Sequence, residues 1–265
     1  MPVNLSIVII AKNEASRIEE CLKSVAGWAS EIILVDDESS DSTRQIASRY
    51  TDRVLVRKMD IEGRHRNWAY SQAKNTWILS LDADERVTGE LREEIETILA
   101  KDPGACAFTI PRKNFLGDYW LRRAGQYPSA QLKLFRRDKF RWEEVEVHPR
   151  AFLDGKCAHL TQPLLHYTYR NFGDFLKKLN SQTTLEAKKW LKVYQDNPKK
   201  ANYKMNFVHA VWRFNDRFFR AYLRKQGFRD GFIGFMISFF SALYQIIAYA
   251  KYWEMKQKLT NQPIR

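Results

Sequence analysis

"ILVDDESSDSTRQIA", residues 33–47, decides the fold. An apolar run, Ile33-Leu34-Val35, breaks into Asp36-Asp37-Glu38 and a hydroxyl-rich tail, so four acidic side chains fall within the six positions from Asp36 to Asp41. This reads as a buried strand that ends in carboxylates. The chain around it is basic, with 44 Lys+Arg against 31 Asp+Glu and a formal net charge of +13. A second apolar run, "WILSLDADE" (77–85), ends in acid in the same way.

The neighbouring sequence repeats the rhythm. Residues 5–10 (LSIVII) predict a strand and "AKNE" its turn; Ile18, Cys21, Leu22 and Val25, at i, i+3, i+4 and i+7, predict an amphipathic helix. Residues 31–35 form the second strand, after which Asp41 or Ser40 caps a helix presenting Ile46, Ala47 and Tyr50. A short strand at 53–58, a helix at 64–75, the strand at 77–85 and a helix capped by Thr88 follow. Continuous apolar strands alternating with helices indicate an α/β fold with a mostly parallel sheet covered on both faces. Ligands bind such sheets beyond the carboxyl ends of the strands, where both acidic clusters lie.

The 265 residues suffice for one large domain or a domain with an appendage, and 45% hydrophobic with 14% aromatic residues excludes global disorder. The positive balance calls for an anionic partner (nucleic acid, phosphorylated substrate or acidic membrane surface) without choosing among them. Cys21, Cys106 and Cys157 show neither metal-ligand spacing nor a disulfide framework, which suits a reducing compartment. The N-terminal apolar run lacks a basic flank and is too short for a signal peptide, so a cytoplasmic start is expected.

In "DAD" (82–84), a strand-end pleat turns the first and third residues the same way, and two carboxylates facing one point suit Mg²⁺ or Mn²⁺. The plain alternative is an acidic turn capping the next helix. Four motifs in order, "IIAKNEA" (9–15), "VDDESSDST" (35–43), "RHRNWA" (64–69) and "LSLDADE" (79–85), resemble the nucleotide-sugar glycosyltransferases of family 2, which have the GT-A fold. The resemblance covers about the first ninety residues of the sequence.

It implies a GT-A (Rossmann-like) mixed, mostly parallel sheet flanked by helices, with a helical aromatic and basic C-terminal extension. The catalytic domain would span 1–170, with a nucleotide-sugar half (1–100) and an acceptor half (101–170), and the helical region 171–265. By the same resemblance Asp37 accepts hydrogen bonds from the base or ribose, with Asn13 and Glu14 bordering the nucleoside pocket. Arg66 contacts the diphosphate or lies on a solvated helix face. Asp84 contacts a divalent metal, with Asp82 on the sugar-ribose side or on metal waters. Asp36 orients the loop, and Asp41 caps a helix.

The catalytic base is open. Relatives often carry "VHE" where this chain has Val147-His148-Pro149, which leaves Glu146 and then Glu144 as candidates on one face if "RWEEVEVHPR" (141–150) is a strand. His148 and His166 are candidates for a metal or phosphate contact, or are structural. The stretch "NFLGDYWLRRAGQYPSAQLKLFRR" (114–137) mixes Trp120, Tyr119 and Tyr127 with Arg122, Arg123, Lys133 and Arg136. That mixture suits an anionic glycolipid acceptor, although ordinary packing explains many of its residues.

Residues 212–229 carry six basic residues and one acid among aromatics, and 231–250 contain no charge. The uncharged segment is long enough to span a bilayer, to lie in its interface or to pack as a helix. The expected protein is a cytoplasmic, peripheral-membrane inverting transferase. It would move a hexose, glucose by resemblance to inner-core glucosyltransferases, from a UDP-sugar to a lipopolysaccharide-core or other lipid-linked acceptor, with no nucleic-acid partner. Competing expectations are transfer to a polyprenyl phosphate, a basic nucleic-acid-binding protein and an inactive membrane scaffold.

Overall fold

The computed structural model describes residues 3–101, 103–145 and 150–260. It divides into two compact units, 1–113 with 128–168, and 114–127 with 169–265.

The first unit opens with β1 (Val3–Ala11), α1 (Ile18–Lys23), β2 (Ala29–Asp36), α2 (Thr43–Ala47), β3 (Val54–Val56), α3 (Glu62–Ser71) and β4 (Trp77–Asp82). Next come β5 (Glu85–Arg86), α4 (Gly89–Leu99), β6 (Ala107–Ile110) and the start of β7 (Arg112–Leu116); the rest of β7 and the short β8 (Tyr119–Trp120) fall in the second unit. The unit resumes with β9 (Gln131–Arg136), β10 (Phe140–Trp142), β11 (Ala151–Leu153), β12 (Cys157–His159) and β13 (Leu164–Tyr169). Seven strands make one sheet in the order β12-β6-β9-β4-β1-β2-β3. Strands β1 to β4 are parallel, as are β12 and β6, while β9 runs antiparallel to both its neighbours. This is the mixed, mostly parallel sheet that the sequence predicts.

Alternation along each strand feeds two cores. Leu5, Ile7 and Ile9 join Leu79 and Leu81 against α1 and α4, whereas Val8, Ile33, Val35 and Ile78 face Ala69 and Tyr70 of α3. Both faces are covered, which is why these strands read as unbroken apolar runs. Ala11 pairs with Asp36 and Ile10 with Asp82, so the acidic ends of β2 and β4 flank the end of β1 on the same edge. The chain crosses from one side of β1 to the other here, the switch point where such sheets open a crevice.

Several local expectations change. The helix expected at 64–75 is Glu62–Ser71. Neither Asp41 nor Ser40 is the N-cap of α2, which is Ser42 without a side-chain cap; Asp41 instead accepts from the Thr43 and Ala15 N–H groups. β4 stops at Asp82, and Ala83-Asp84 is a turn, so a strand pleat does not orient the two aspartates. β10 likewise ends at Trp142 and residues 143–145 are not strand, so Glu144 is not on a strand face, while Glu146 and His148 lie outside the described residues.

The second unit is helical: α5 (Phe172–Asp196), α6 (Pro198–Lys204), α7 (Phe207–Phe219), a π-helical turn (Arg220–Arg224) and α8 (Gly231–Thr260). Asn171, Asn197 and Asn206 cap α5, α6 and α7, each accepting the N–H three residues on. Gly234, Ser238 and Ala242 form a small-residue face on α8 that is buried within the unit, while Phe232 is 72% exposed. Helix α8 is long and apolar enough to cross a membrane by length and composition. The stretch 114–127, read from sequence with the catalytic domain, belongs to this unit. Asp230 Oδ2 accepts the Arg122 and Arg123 backbone N–H groups at 3.1 and 2.9 Å.

A Cβ on Gly63 would lie 2.0 Å from the Glu143 carbonyl oxygen, so α3 approaches the 141–145 segment as only glycine permits. Gly63→Ala is expected to lose about 1–3 kcal/mol of stability through overpacking, read as a lower urea midpoint at unchanged slope.

Candidate active site

Three segments bring the site together. After β1 the chain turns through Lys12, Asn13 and Glu14, with Asn13 at φ +53°. The Asn13 N–H donates to Ser39 Oγ and its Oδ1 accepts from Ser40, which ties this turn to the loop after β2. Asp36 is fully buried and accepts the Ser39 N–H at 2.8 Å, the loop-orienting role expected for it. Asp37, one residue on, faces a cleft. Its Oδ1 accepts the Met59 N–H at 2.8 Å and its Oδ2 the Lys12 ammonium at 2.9 Å. Burial raises the Asp37 carboxyl pKa, but the Met59 N–H and Lys12 outweigh it and leave the net value below the ordinary range.

The cleft has a volume of about 450 Å³, and its walls include Lys12, Glu14, Asp37, His65, Arg66, Asp82, Asp84 and His166. Arg66 is not on a solvated face. Its side chain is 19% exposed and donates to Asp82 Oδ1 at 3.2 Å and to Glu62 at 2.9 Å. The adjacent Asn67 turns the other way: it donates to the Trp142 carbonyl and accepts its N–H, so the "RN" pair joins the cleft to β10.

Both Asp82 oxygens carry cations, Arg66 on Oδ1 and Lys133 on Oδ2 at 2.8 Å. Lys133 also donates to Glu85 at 2.7 Å and is 4% exposed, so it is an interior ion-pair partner and not the acceptor-gripping cation read from the sequence. Arg136, grouped with it there, pairs with Asp138. Burial disfavours the Asp82 charge, yet Lys133 and Arg66 hold this carboxyl far below the ordinary range. Asp84, on the turn, has Oδ2 3.3 Å from Arg17 and Oδ1 3.5 Å from His166 Nε2.

Among the described residues no cluster of three or more His, Cys, Asp or Glu is disposed to hold a metal. What the cleft offers is one hard carboxylate, Asp84, with the His166 imidazole alongside, an incomplete donor set. It fits a Mg²⁺ or Mn²⁺ ion that completes its shell with water and phosphate oxygens.

Glu144 is outside the cleft lining and accepts from Arg64 Nε at 3.1 Å and Asn67 Nδ2 at 3.2 Å. The Asn67 and Arg64 contacts hold its carboxyl below the ordinary range. Glu146 and His148 fall outside the described residues. Trp120, Arg122, Arg123 and Tyr127 belong to the second unit, where Trp120 packs edge-on to Tyr127 at 5.5 Å and Arg122 lies over Trp120 at 4.8 Å.

Sequence reading missed Lys12, Arg17, His65 and the true setting of Lys133. His65 is fully buried in the cleft wall and neither ring nitrogen has a hydrogen-bond partner among the described residues; burial, then Arg57, depress its pKa. A signal for Lys133 existed: a lone lysine between Leu132 and Leu134 in an apolar strand implies a buried partner.

Residues 6–154 match the family described as Glycosyl transferase family 2. The lipopolysaccharide core biosynthesis glycosyltransferase LpsC of Rhizobium meliloti is 26% identical over 257 residues, covering 94% of this chain and 92% of the relative. An uncharacterized glycosyltransferase of Rickettsia bellii is 28% identical over 264 residues, covering 95% and 86%. Among solved structures, S. aureus TarS 1–349 is 14% identical, with a TM-score of 0.47 over 100% of this chain and 93% of that one.

Lys133→Met strands Asp82 and Glu85 and is expected to cost about 3–5 kcal/mol in denaturant unfolding. Because the folded pKa of Asp82 lies below its unfolded value of about 3.9, its stabilisation is complete above that pH and is lost as pH falls toward the folded value. Asp82→Asn should therefore flatten the decline of unfolding free energy on acidification below about pH 4.

Proposed function

The chain belongs to glycosyl transferase family 2; on that footing we propose that it transfers a hexose, glucose first among them, from a uridine diphosphate sugar to a lipopolysaccharide-core or other lipid-linked saccharide. Inversion in a single displacement is the expected stereochemistry. The observation that carries this reading is the meeting of Asp37, Asp82 and Asp84 around one cleft at the switch point of the sheet. Similarity to LpsC along nearly the whole chain supports the acceptor class.

Each Asp37 oxygen keeps a second acceptor site beyond its Met59 or Lys12 bond, enough for the imide N–H of uracil or a ribose hydroxyl. Asn13 shapes this end through the 39–40 loop, and Glu14 borders it. Lys12 and Arg66 supply positive charge for the diphosphate, and Asp82 fixes Arg66 in place while facing the sugar-ribose side. Asp84, with His166 beside it, would hold Mg²⁺ or Mn²⁺, which when bound neutralises charge on the departing nucleoside diphosphate. The acceptor hydroxyl gives its proton to Glu146 or Glu144; for Glu144 this requires release from Arg64, whose ion pair lowers its basicity. The enzyme works at the cytoplasmic face of the membrane, with the second unit at the lipid interface.

Calorimetric titration tests the donor site. UDP should bind wild type about tenfold more tightly with Mn²⁺ than without, about 1.4 kcal/mol, and Asp84→Ala should abolish that increment. Asp37→Asn should weaken UDP binding under both conditions. A folded wild-type protein that binds no nucleoside diphosphate would overturn the reading.

A further inference from the structure

The second unit holds a cavity of about 690 Å³, larger than the donor cleft and built wholly from its own residues. Arg213, Arg217 and Arg220 line it from α7 and the π-helical turn, and Lys225 closes the row. The spacing i, i+4, i+7 places the three guanidinium groups on one face of a helix. Among the described residues of the wall the only carboxylate is Asp216, and Arg220 engages it at 2.6 Å. The wall also carries the neutral hydrogen-bonding groups of Gln182, Ser241 and Gln245. Nearby, Glu186 accepts from Trp190 Nε1 and acts electrostatically on Arg213, whose guanidinium lies 6.0 Å from the Trp190 ring centroid. Stacking like charges on one helical face destabilises the helix, and the wall therefore favours an anion. Guanidinium forks match phosphate oxygens in geometry and charge.

A second stripe runs beside the first. Val208, Trp212, Phe219 and Leu223 are 77, 60, 54 and 52% exposed. Trp212, Phe219 and Leu223 immediately precede Arg213, Arg220 and Arg224, so cationic and apolar stripes run side by side along α7 and the π-helical turn. Exposed apolar surface beside an anion pocket matches an amphiphile with a phosphorylated head.

We propose that this cavity binds the headgroup phosphate of a membrane lipid, whose acyl region rests on the apolar stripe of α7. The site requires only the second unit and is independent of the transfer chemistry, so binding reads it without any assay of activity.

The test is flotation of the full chain with phosphatidylcholine vesicles, with and without phosphatidic acid. Phosphatidic acid should strengthen wild-type binding about tenfold, and Arg213→Gln/Arg217→Gln should remove the gain. Arg217→Gln alone, at an exposed position, guards against loss of folding and should remove a large part of it. Trp212→Ala/Phe219→Ala should weaken binding to both vesicle types. Lys199→Gln/Lys200→Gln, which removes equal charge from α6, should leave binding within about twofold of wild type. An equal loss in that control would reduce the effect to general surface charge and overturn the site. Inorganic phosphate bound by wild type through Arg217, without any phosphatidic acid preference, would assign the cavity to a soluble phosphate and overturn the lipid. Full binding by Trp212→Ala/Phe219→Ala would also overturn the lipid.

Discussion

One ammonium group holds the end of the fourth strand together. Lys133 sits 2.8 Å from Asp82 and 2.7 Å from Glu85, and Glu85 also faces Arg112 at 3.4 Å. Taking these charges from water costs several kcal/mol each, which the pairing offsets only because every partner is in place. The arrangement repeats around the cleft: Lys12 attends Asp37, Arg66 attends Asp82 and Arg17 attends Asp84. Acidic strand ends that would repel one another are thereby fixed before any ligand arrives, and the Asp37 and Asp82 carboxyls are held below the ordinary range. Part of the basic excess in the composition is committed to this internal neutralisation.

The alternating layers and the acidic strand ends were legible in the sequence for a physical reason. Strands β1, β2 and β4 are covered on both faces, so their apolar runs are unbroken, and each break into carboxylates marks the ligand edge. What was not legible depends on partners distant in the chain. Lys133 meets Asp82 across 51 residues and looked like a loop cation, while Glu144 is tied to Arg64 across 80. Asp84 leaves the strand for a turn, and no pleat rule reaches it. The 114–127 stretch could not be placed with the helical unit from its own composition, because its anchor, Asp230, lies more than a hundred residues away.

The helical unit shows why an uncharged stretch of twenty residues is ambiguous when read alone. Small residues on one side of α8 let other backbone approach: a Cβ on Gly234 would fall 1.8 Å from the Gly227 carbonyl oxygen. Yet Phe232 and Phe235, on the same helix, remain open to solvent. One element thus combines the packing of a soluble core helix with the surface of an interfacial one, and composition averages over the two.

The antiparallel strand β9 carries a consequence for synthesis on the ribosome. Strands β1 to β4 emerge first, but β4 keeps an open edge until residues 131–136 arrive to pair with it. The same six residues deliver Lys133. A nascent chain of some hundred residues therefore displays an apolar strand edge together with Asp82 and Glu85 still lacking their Lys133 partner. Until β9 supplies edge and cation in one movement, Asp82 and Glu85 set charge at the end of that open strand, the kind of flanking charge that disfavours premature pairing.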